Sequence, residues 1–486
     1  MAKTISGWRL IISYLGVFAI IIGIFLLVPL VSLIFFPSES QYAWCFVVPG
    51  LISIALGYIT AMCFKGMEKD RLKNHEDAVL VCAFWLMAIL ICALPFLLTR
   101  KYDFVQSLFE ATSGLTTTGL SVVDVASCPH IFLLFRSLLL FAGGVGLVLI
   151  LTCAISDKYN LKLYMAEGHQ DKLLPNLVKS ARLILSIYSI YILLGTIAYV
   201  CSGMSVFDSI CTSIASVSTG GFSNNPNSIG GYHSLAIEII TIVLMCLGST
   251  NFVIHLYLIR GQFRKIWRHS EVRFFVFATL FVIPIMVLIC FFDAHMSLGD
   301  SFRVSAFQFF SSITTTGFQN VPSVAALPSS MKTIMIVLML IGGGVGSTAG
   351  GIKQYRVVSV VKGSFASIAH RSQNYKIVKH EFIYQNGREI IFTKDDFISS
   401  ASFMAAYLLL FLTGSFIFTL FGYSLSDSMF EFASSIGTVG LSVGITGFSA
   451  HPVILLTSIC GMILGRLEIV VVFNALGKAI RPFRRS

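Results

Sequence analysis

The chain is punctuated by apolar stretches too long to be buried anywhere but in a bilayer. Leu10–Phe36 and Ile131–Ile155 run for 27 and 25 residues, against the roughly 20 that a bilayer-crossing helix needs. Ten segments are long enough to cross: about 8–36, 42–64, 77–98, 131–155, 183–203, 234–259, 274–293, 333–352, 398–421 and 453–476. Only 12% of the residues are charged and 42 are Phe, where an average soluble domain carries about 25% charge. A soluble enzyme, a nucleic-acid module and a disordered chain are therefore excluded. The sequence predicts an all-α polytopic membrane protein.

A net charge of +11 would point to nucleic acid if it lay on one face. Here it alternates from loop to loop. With the N-terminus placed in the cytoplasm, 28 Lys and Arg fall on the inner side and 4 on the outer side (Arg100, Lys101, Arg303, Lys332), while Arg136 and Arg466 lie within spans. That asymmetry follows the positive-inside rule, and ten spans put both termini inside. The first apolar run is too long for the core of a cleavable signal, so it is expected to remain as a helix. No CxxC and no Cys/His pair with metal-ligand spacing occurs among the 11 Cys and 10 His, and each Cys reads as a small buried hydrophobe.

Four loops predicted to face outward repeat one pattern. They read SLFEATSGLTTTGLS (107–121), SICTSIASVSTGGFS (209–223), SAFQFFSSITTTGFQ (305–319) and SMFEFASSIGTVGLS (428–442). Aligned on Gly119, Gly221, Gly317 and Gly440, Thr stands two residues earlier in every copy: Thr117, Thr219, Thr315 and Thr438. A large apolar side chain follows each Gly: Leu120, Phe222, Phe318 and Leu441. Twelve residues before each Gly stands Ser107, Ser209, Ser305 or Ser428, read as the N-cap of a helix of two to three turns. Such a helix is too short to span. The repeating unit is thus span, re-entrant half-helix, extended return, span, and irregular backbone at membrane depth is tolerated only where it lines a cavity or is buried in protein. Four returns meeting on one axis would offer carbonyl oxygens to a dehydrated cation. Gly permits the positive φ that turns successive carbonyls inward, and each half-helix aims the negative end of its dipole at the cavity.

These motifs resemble the TrkH/KtrB superfamily of potassium-translocating subunits, through SGLTTTG (113–119), STGGFS (218–223), TTTGF (314–318), GGGVGSTAGGIK (342–353) and GRLE (465–468). The resemblance covers essentially the whole chain, and two additional N-terminal spans match the TrkH branch. It implies four pseudo-symmetric pore units around a central pore: a two-helix extension at 1–75, unit 1 at 76–181, unit 2 at 182–272, unit 3 at 273–361, a cytoplasmic insert at 362–397 and unit 4 at 398–486. It implies a selectivity filter of Thr117, Thr118 and Gly119; Thr219, Gly220 and Gly221; Thr315, Thr316 and Gly317; and Thr438, Val439 and Gly440, binding potassium through backbone carbonyls. Gly at all four positions implies a preference for potassium, where Ser at the first would imply sodium. The fourth filter, SIGTVGLSVG (435–444), resembles the KtrB version. The resemblance further implies a homodimer, a cytosolic ring of TrkA/KtrA-like nucleotide-binding regulatory subunits, and the plasma membrane of a prokaryote (the inner one if Gram-negative). Passive flux and coupling to a sodium or proton gradient both require such a site, so both readings stand.

The Gly-rich run at 342–351 follows Gly317 by 25 to 34 residues, and so many small residues break a helix. It either lines a cavity or packs closely against a neighbour. By resemblance it is a gating loop built from Gly342, Gly343, Gly344, Gly346, Ser347, Thr348, Gly350 and Gly351. The related GGVG at 143–146 reads as packing. An unpaired charge within a span is costly, so Arg466 is expected to find carbonyls or a carboxylate, and by resemblance it reaches the gating loop. Glu468 reads as a residue of the inner cavity mouth or a partner for a basic residue. Glu110 and Glu431 share one repeat position and either enrich cations at the outer mouth or brace the filter from behind. Arg136 reads as an interfacial residue that snorkels. Within the insert, Asn386-Gly387 between strand-like residues predicts a hairpin. There is no Walker A loop and no GxGxxG opening a helix, so no nucleotide site is expected in this chain.

Overall fold

A computed structural model describes residues 7–63, 76–146, 177–372, 382–385, 388–467 and 469–480. Its helices are α1 (Gly7–Leu27), α2 (Trp44–Cys63), α3 (Glu76–Leu98), α4 (Phe104–Leu115), α5 (His130–Val145), α6 (Leu177–Cys201), α7 (Val206–Val217), α8 (Leu235–Ser249) and α9 (Phe252–Ile259). They continue as α10 (Phe263–Arg268), α11 (Ser270–Phe292), α12 (Leu298–Ile313), α13 (Ser329–Ile341) and α14 (Gln354–Ser372). After the strands β1 (Phe382–Gln385) and β2 (Arg388–Ile391) come α15 (Lys394–Thr419), α16 (Leu425–Ile436), α17 (Pro452–Arg466) and α18 (Ile469–Ile480). The order long helix, short helix, loop, second helix occurs four times.

Among the described residues six helices are long and apolar enough to cross a membrane, and α8 and α9, bent by 110° where they meet, are so only when taken together. Three of the ten expected spans are therefore shorter than their apolar runs. α5 ends at Gly146 with φ 95°, α13 ends at Gly342 with φ 73°, and α17 is separated from α18 by a break after Arg466. The second helices of the first, second and fourth repeats carry a Gly at the level of the half-helix ends. A methyl group on Gly143, Gly248 or Gly465 would sit 2.0 Å from the Leu115 carbonyl oxygen, 2.3 Å from that of Val217 or 1.9 Å from that of Ile436. This close approach brings the second helices against the short ones, and it makes the GGVG at 143–146 a packing surface. Its last residues lead into 147–155, outside the described residues.

The short helices α4, α7, α12 and α16 are capped by Asp103, Ser205, Ser297 and Ser424, whose side chains accept from the backbone N–H three residues on. This corrects the expectation that Ser107, Ser209, Ser305 and Ser428 are the caps. Those serines lie inside the helices and are fully buried. Asp103, Ser205 and Ser424 precede their filter-position Gly by 16 residues, but Ser297 precedes Gly317 by 20, so the true caps fall out of register in the third copy. α12 is one turn longer than its three counterparts.

Large apolar side chains such as Leu51, Leu193, Phe281, Leu409 and Phe416 are exposed over the outer surface, as expected of helices that face lipid rather than water. The N-terminal pair α1 and α2 packs with α3 and α5 in one apolar cluster that includes Phe18, Phe46, Phe84 and Phe135. Glu39, in the link between α1 and α2, accepts from the backbone N–H groups of His130 (2.8 Å) and Ile131 (3.0 Å), capping α5 and fixing the extension to the first repeat. Strands β1 and β2 pair antiparallel from Phe382–Ile391 to Gln385–Arg388, as the hairpin reading requires; Asn386 and Gly387 lie outside the described residues. Cys63, Cys201 and Cys460 are exposed on the outer surfaces of their helices, against the expectation of burial. Among the described residues no group of His, Cys, Asp and Glu is arranged to hold a metal ion.

Candidate functional site

The four short helices end alike. After the last helical residue, the N–H groups of Thr118, Gly220, Thr316 and Val439 donate back to the carbonyls of Ser113, Ala215, Ser311 and Ser434 at 2.8–3.0 Å. Such a helix terminus forces the preceding residue into the left-handed region, where Gly is usual. Here the position is held by Thr117, Thr219, Thr315 and Thr438, at φ 55°, 50°, 53° and 50°. A β-branched residue is strained there, and the strain is borne four times over. Two residues on, Gly119, Gly221, Gly317 and Gly440 have φ 91°, 64°, 87° and 102°.

These glycines close a ring. A methyl on Gly119 would lie 2.3 Å from the carbonyl oxygen of Gly220, on Gly221 2.0 Å from that of Thr316, on Gly317 2.0 Å from that of Val439, and on Gly440 2.3 Å from that of Thr118. Each return thus abuts the equivalent carbonyl of the next, and the fourth abuts the first. Leu120, Phe222, Phe318 and Leu441 are buried behind the returns. The hydroxyls of Thr117 and Thr438 are buried with no hydrogen-bond partner.

The ring is braced from outside by carboxylates. Glu110 accepts from the Ser121 hydroxyl (3.0 Å) and the Val122 N–H (3.0 Å). Glu431 accepts from the Ser442 hydroxyl (2.7 Å), the Val443 N–H (2.8 Å) and the Thr446 N–H (3.0 Å). In the third copy Gln308 donates to Asn320 (3.2 Å). Each ties a short helix to the chain beyond its return, which is the bracing geometry and not that of an exposed anionic mouth.

Arg136 belongs to the same apparatus and does not snorkel. Its side chain is 2% exposed, and its Nε donates to Glu110 at 2.7 Å. It also donates to the Ser121 hydroxyl (3.0 Å) and the Ser223 carbonyl (3.3 Å) and lies over the Phe222 ring at 4.0 Å. A charge placed seven residues into α5 sits too deep to reach water; the buried carboxylate supplies its partner. Further polar links join successive repeats: Arg303 to Glu238 through two bonds of 2.8 and 2.9 Å, Lys332 to Asp427 at 3.1 Å, and Gln106 to the Phe448 carbonyl at 2.7 Å.

The segment 342–351 lies against the helix-end side of the ring. Gly342, Gly343, Gly344, Ser347, Thr348, Gly350 and Gly351 are buried and Gly346 half-buried. Thr348 bonds with the Thr219 hydroxyl (2.9 Å) and donates to the Gly248 carbonyl (2.9 Å). The Gly350 N–H donates to the Thr315 hydroxyl (2.8 Å), and a methyl on Gly350 would sit 2.1 Å from the Thr438 hydroxyl. Three of the four left-handed Thr residues are in this way touched by one loop. Arg466 holds it from the far side, donating through Nη1 to the Thr348 carbonyl (2.7 Å) and through Nη2 to the Gly143 carbonyl. The Gly344 N–H donates to the Ser249 carbonyl at the end of α8 (3.0 Å), and Glu271 at the start of α11 accepts from the Val345 N–H (2.8 Å). Glu271 escaped the sequence reading because it opens a span and belongs to no repeat column. Glu468 lies outside the described residues.

Re-entrant half-helices whose returns close one ring, inside a belt of lipid-facing spans, define a multi-pass membrane transport protein. Residues 46–476 match the TrkH family, described as cation transport proteins. The chain is 30% identical over 474 residues to an uncharacterized cation transporter of Methanocaldococcus jannaschii, covering 96% of this chain and 94% of the other. It is 29% identical over 480 residues to the Trk system potassium uptake protein TrkG of Escherichia coli (strain K12), covering 96% of each. In fold it matches the crystal structure of the potassium transporter TrkH from Vibrio parahaemolyticus with a TM-score of 0.83, over 96% of this chain and 98% of that one, at 23% identity. The chain belongs to the TrkH family of cation transport proteins.

Proposed function

We propose that the protein takes up potassium through the ring, with 342–351 as its gate. The observation that carries this reading is the closed circuit of Gly-against-carbonyl contacts at Gly119, Gly221, Gly317 and Gly440. It groups four equivalent backbone carbonyls, as replacement of a cation's hydration shell requires. The unpartnered hydroxyls of Thr117 and Thr438 are oxygen ligands of the kind a potassium ion takes, and potassium here is cargo. The filter comprises Thr117–Gly119, Thr219–Gly221, Thr315–Gly317 and Thr438–Gly440, held by the pore units that end at 181, 272, 361 and 486. The names of the Trk relatives support potassium as the ion.

The segment 342–351 bars the inner side of the ring in this arrangement, with Arg466 as its lock and as an electrostatic barrier to cations. Displacement of this loop opens the path. The subunit acts as a homodimer in the plasma membrane of a prokaryote, both termini in the cytoplasm. A ring of cytosolic nucleotide-binding subunits of the TrkA/KtrA kind acts on the basic inner face that carries the β1–β2 hairpin.

The test is potassium flux into proteoliposomes, with sodium as competitor and Gly119→Ser beside the natural protein. The Ser side chain would meet the Gly220 carbonyl at a backbone φ of 91°. Rapid flux that discriminates against sodium, with discrimination lost in Gly119→Ser, is the expected result. Equal discrimination in both proteins refutes the filter assignment, and flux that requires an imposed sodium or proton gradient replaces the passive reading with symport.

A further inference from the structure

At the inner end of α11 the chain makes a cleft that transport does not use. α10 is a single amphipathic turn and a half whose Phe263 and Trp267 are 65% and 59% exposed, beside the basic residues Arg264, Lys265 and Arg268. The chain then turns at His269 into α11, which presents Arg273 and Phe277. Facing these are Lys362 of α14 and Phe382 at the start of the hairpin. Arg268, Arg273, Phe277, Lys362 and Phe382 line a cavity of about 640 Å³, well within the range of small-molecule sites, about 300–1,000 Å³.

The walls are fixed in place. The Ser270 hydroxyl donates to the Tyr384 carbonyl at 2.7 Å, Lys362 Nζ donates to the Phe382 carbonyl, and Arg273 Nε donates to the Trp267 carbonyl at 3.0 Å. Three cations, Arg268, Arg273 and Lys362, line the cleft against one carboxylate, Glu389. Phe277 is 58% exposed, and the apolar surface continues down α11 through Leu280 and Phe281 at 66% and 57%. A basic pocket continuous with the lipid-facing side of a span complements an amphiphile with an anionic head and acyl chains, whereas a free anion would gain nothing from the apolar wall.

We propose that this cleft binds an anionic phospholipid of the inner leaflet, its phosphodiester held by Arg268, Arg273 and Lys362 and its chains lying along Phe277. The site joins α10 and α11 to α14, the helix that follows 342–353 directly. Glu271, which accepts from the Val345 N–H, stands two residues from Arg273. An occupied site thus braces the helix leaving the gating segment. Lipid binding itself does not depend on the transport reading, and it is measured without flux.

The experiment is native mass spectrometry of the full-length protein, delipidated in detergent and titrated with phosphatidylglycerol or phosphatidylcholine of the same acyl chains. One phosphatidylglycerol per chain is expected to survive activation that strips phosphatidylcholine. Arg268→Gln alone should weaken it about fivefold, the share of one basic residue near an anionic headgroup. Arg268→Gln/Arg273→Gln/Lys362→Gln should weaken it by more than about tenfold. Arg264→Gln, on the same helix but outside the cleft, should leave it within about twofold. If the triple variant is unstable by thermal unfolding, the Arg268→Gln and Arg264→Gln pair decides the matter. Equal retention of the two lipids, equal loss in Arg268→Gln and Arg264→Gln, or displacement by millimolar inorganic phosphate would overturn the proposal, the last by making the site one for free phosphate.

Discussion

Arg466→Ala tests whether the loop at 342–351 is held shut or merely packed. The guanidinium makes two bonds to backbone carbonyls, that of Thr348 on the loop and that of Gly143 on the first repeat. Hydrogen bonds to a charged group are worth about 1.5–3 kcal/mol each. Removing both weakens the closed arrangement by about 3–6 kcal/mol, and every 1.4 kcal/mol is about a factor of ten in an equilibrium. Even the lower figure predicts a rise of roughly a hundredfold in the open fraction. The loop keeps its remaining anchors, Thr348 on Thr219 and Gly248 and Val345 on Glu271, so the protein should fold normally. Arg466→Lys separates tether from charge, because it retains the cation while losing the two-armed reach; its flux should rise less than that of Arg466→Ala. The assay is basal potassium flux in proteoliposomes without any cytosolic partner, alongside a thermal unfolding scan in detergent. Basal flux within twofold of the natural protein, at an unchanged unfolding temperature, would refute the assignment of Arg466 as the lock.

Two other outcomes follow from the geometry. Arg136→Met leaves the Glu110 carboxylate, 1% exposed, without its cation, and should cost about 3–5 kcal/mol; adding Glu110→Gln should recover much of that, as read by unfolding temperatures of the two variants in detergent. If the ring holds potassium, saturating potassium should raise the unfolding temperature over equimolar sodium, by the equivalent of about 2.7 kcal/mol at a hundred times the dissociation constant, and the gain should vanish in Gly119→Ser.

What could be read from the chain depended on whether a feature repeats. The Thr-x-Gly ladder is visible because four copies impose the same backbone, and the structure places all four at one ring. The left-handed conformation of Thr117, Thr219, Thr315 and Thr438 was hidden by the rule that Gly takes positive φ, since attention fell on the neighbouring glycines. The caps were misplaced for a simple reason: one extra turn in α12 moves Ser297 out of the column that aligns Asp103, Ser205 and Ser424. Arg136 was misread because distance along a span gives depth but not the partner, and Glu110 lies 26 residues earlier. Breaks in the second helices were legible as Gly clusters, but only contacts such as Gly465 with the Ile436 carbonyl reveal why the small residues stand there.

The ring is made of one chain and not of four. In a tetramer of identical subunits, every substitution arrives in quadruplicate, and a plug inserted into one wall would be inserted into all and would collide with its own copies. Here the third repeat carries the Gly-rich segment that lies against the ring, while the fourth supplies Arg466 and the first supplies the carbonyl it grips. A lineage of such proteins is free to change one wall while the other three keep the ring in shape. The fourth wall already uses that freedom, with Val439 where the first and third have Thr118 and Thr316.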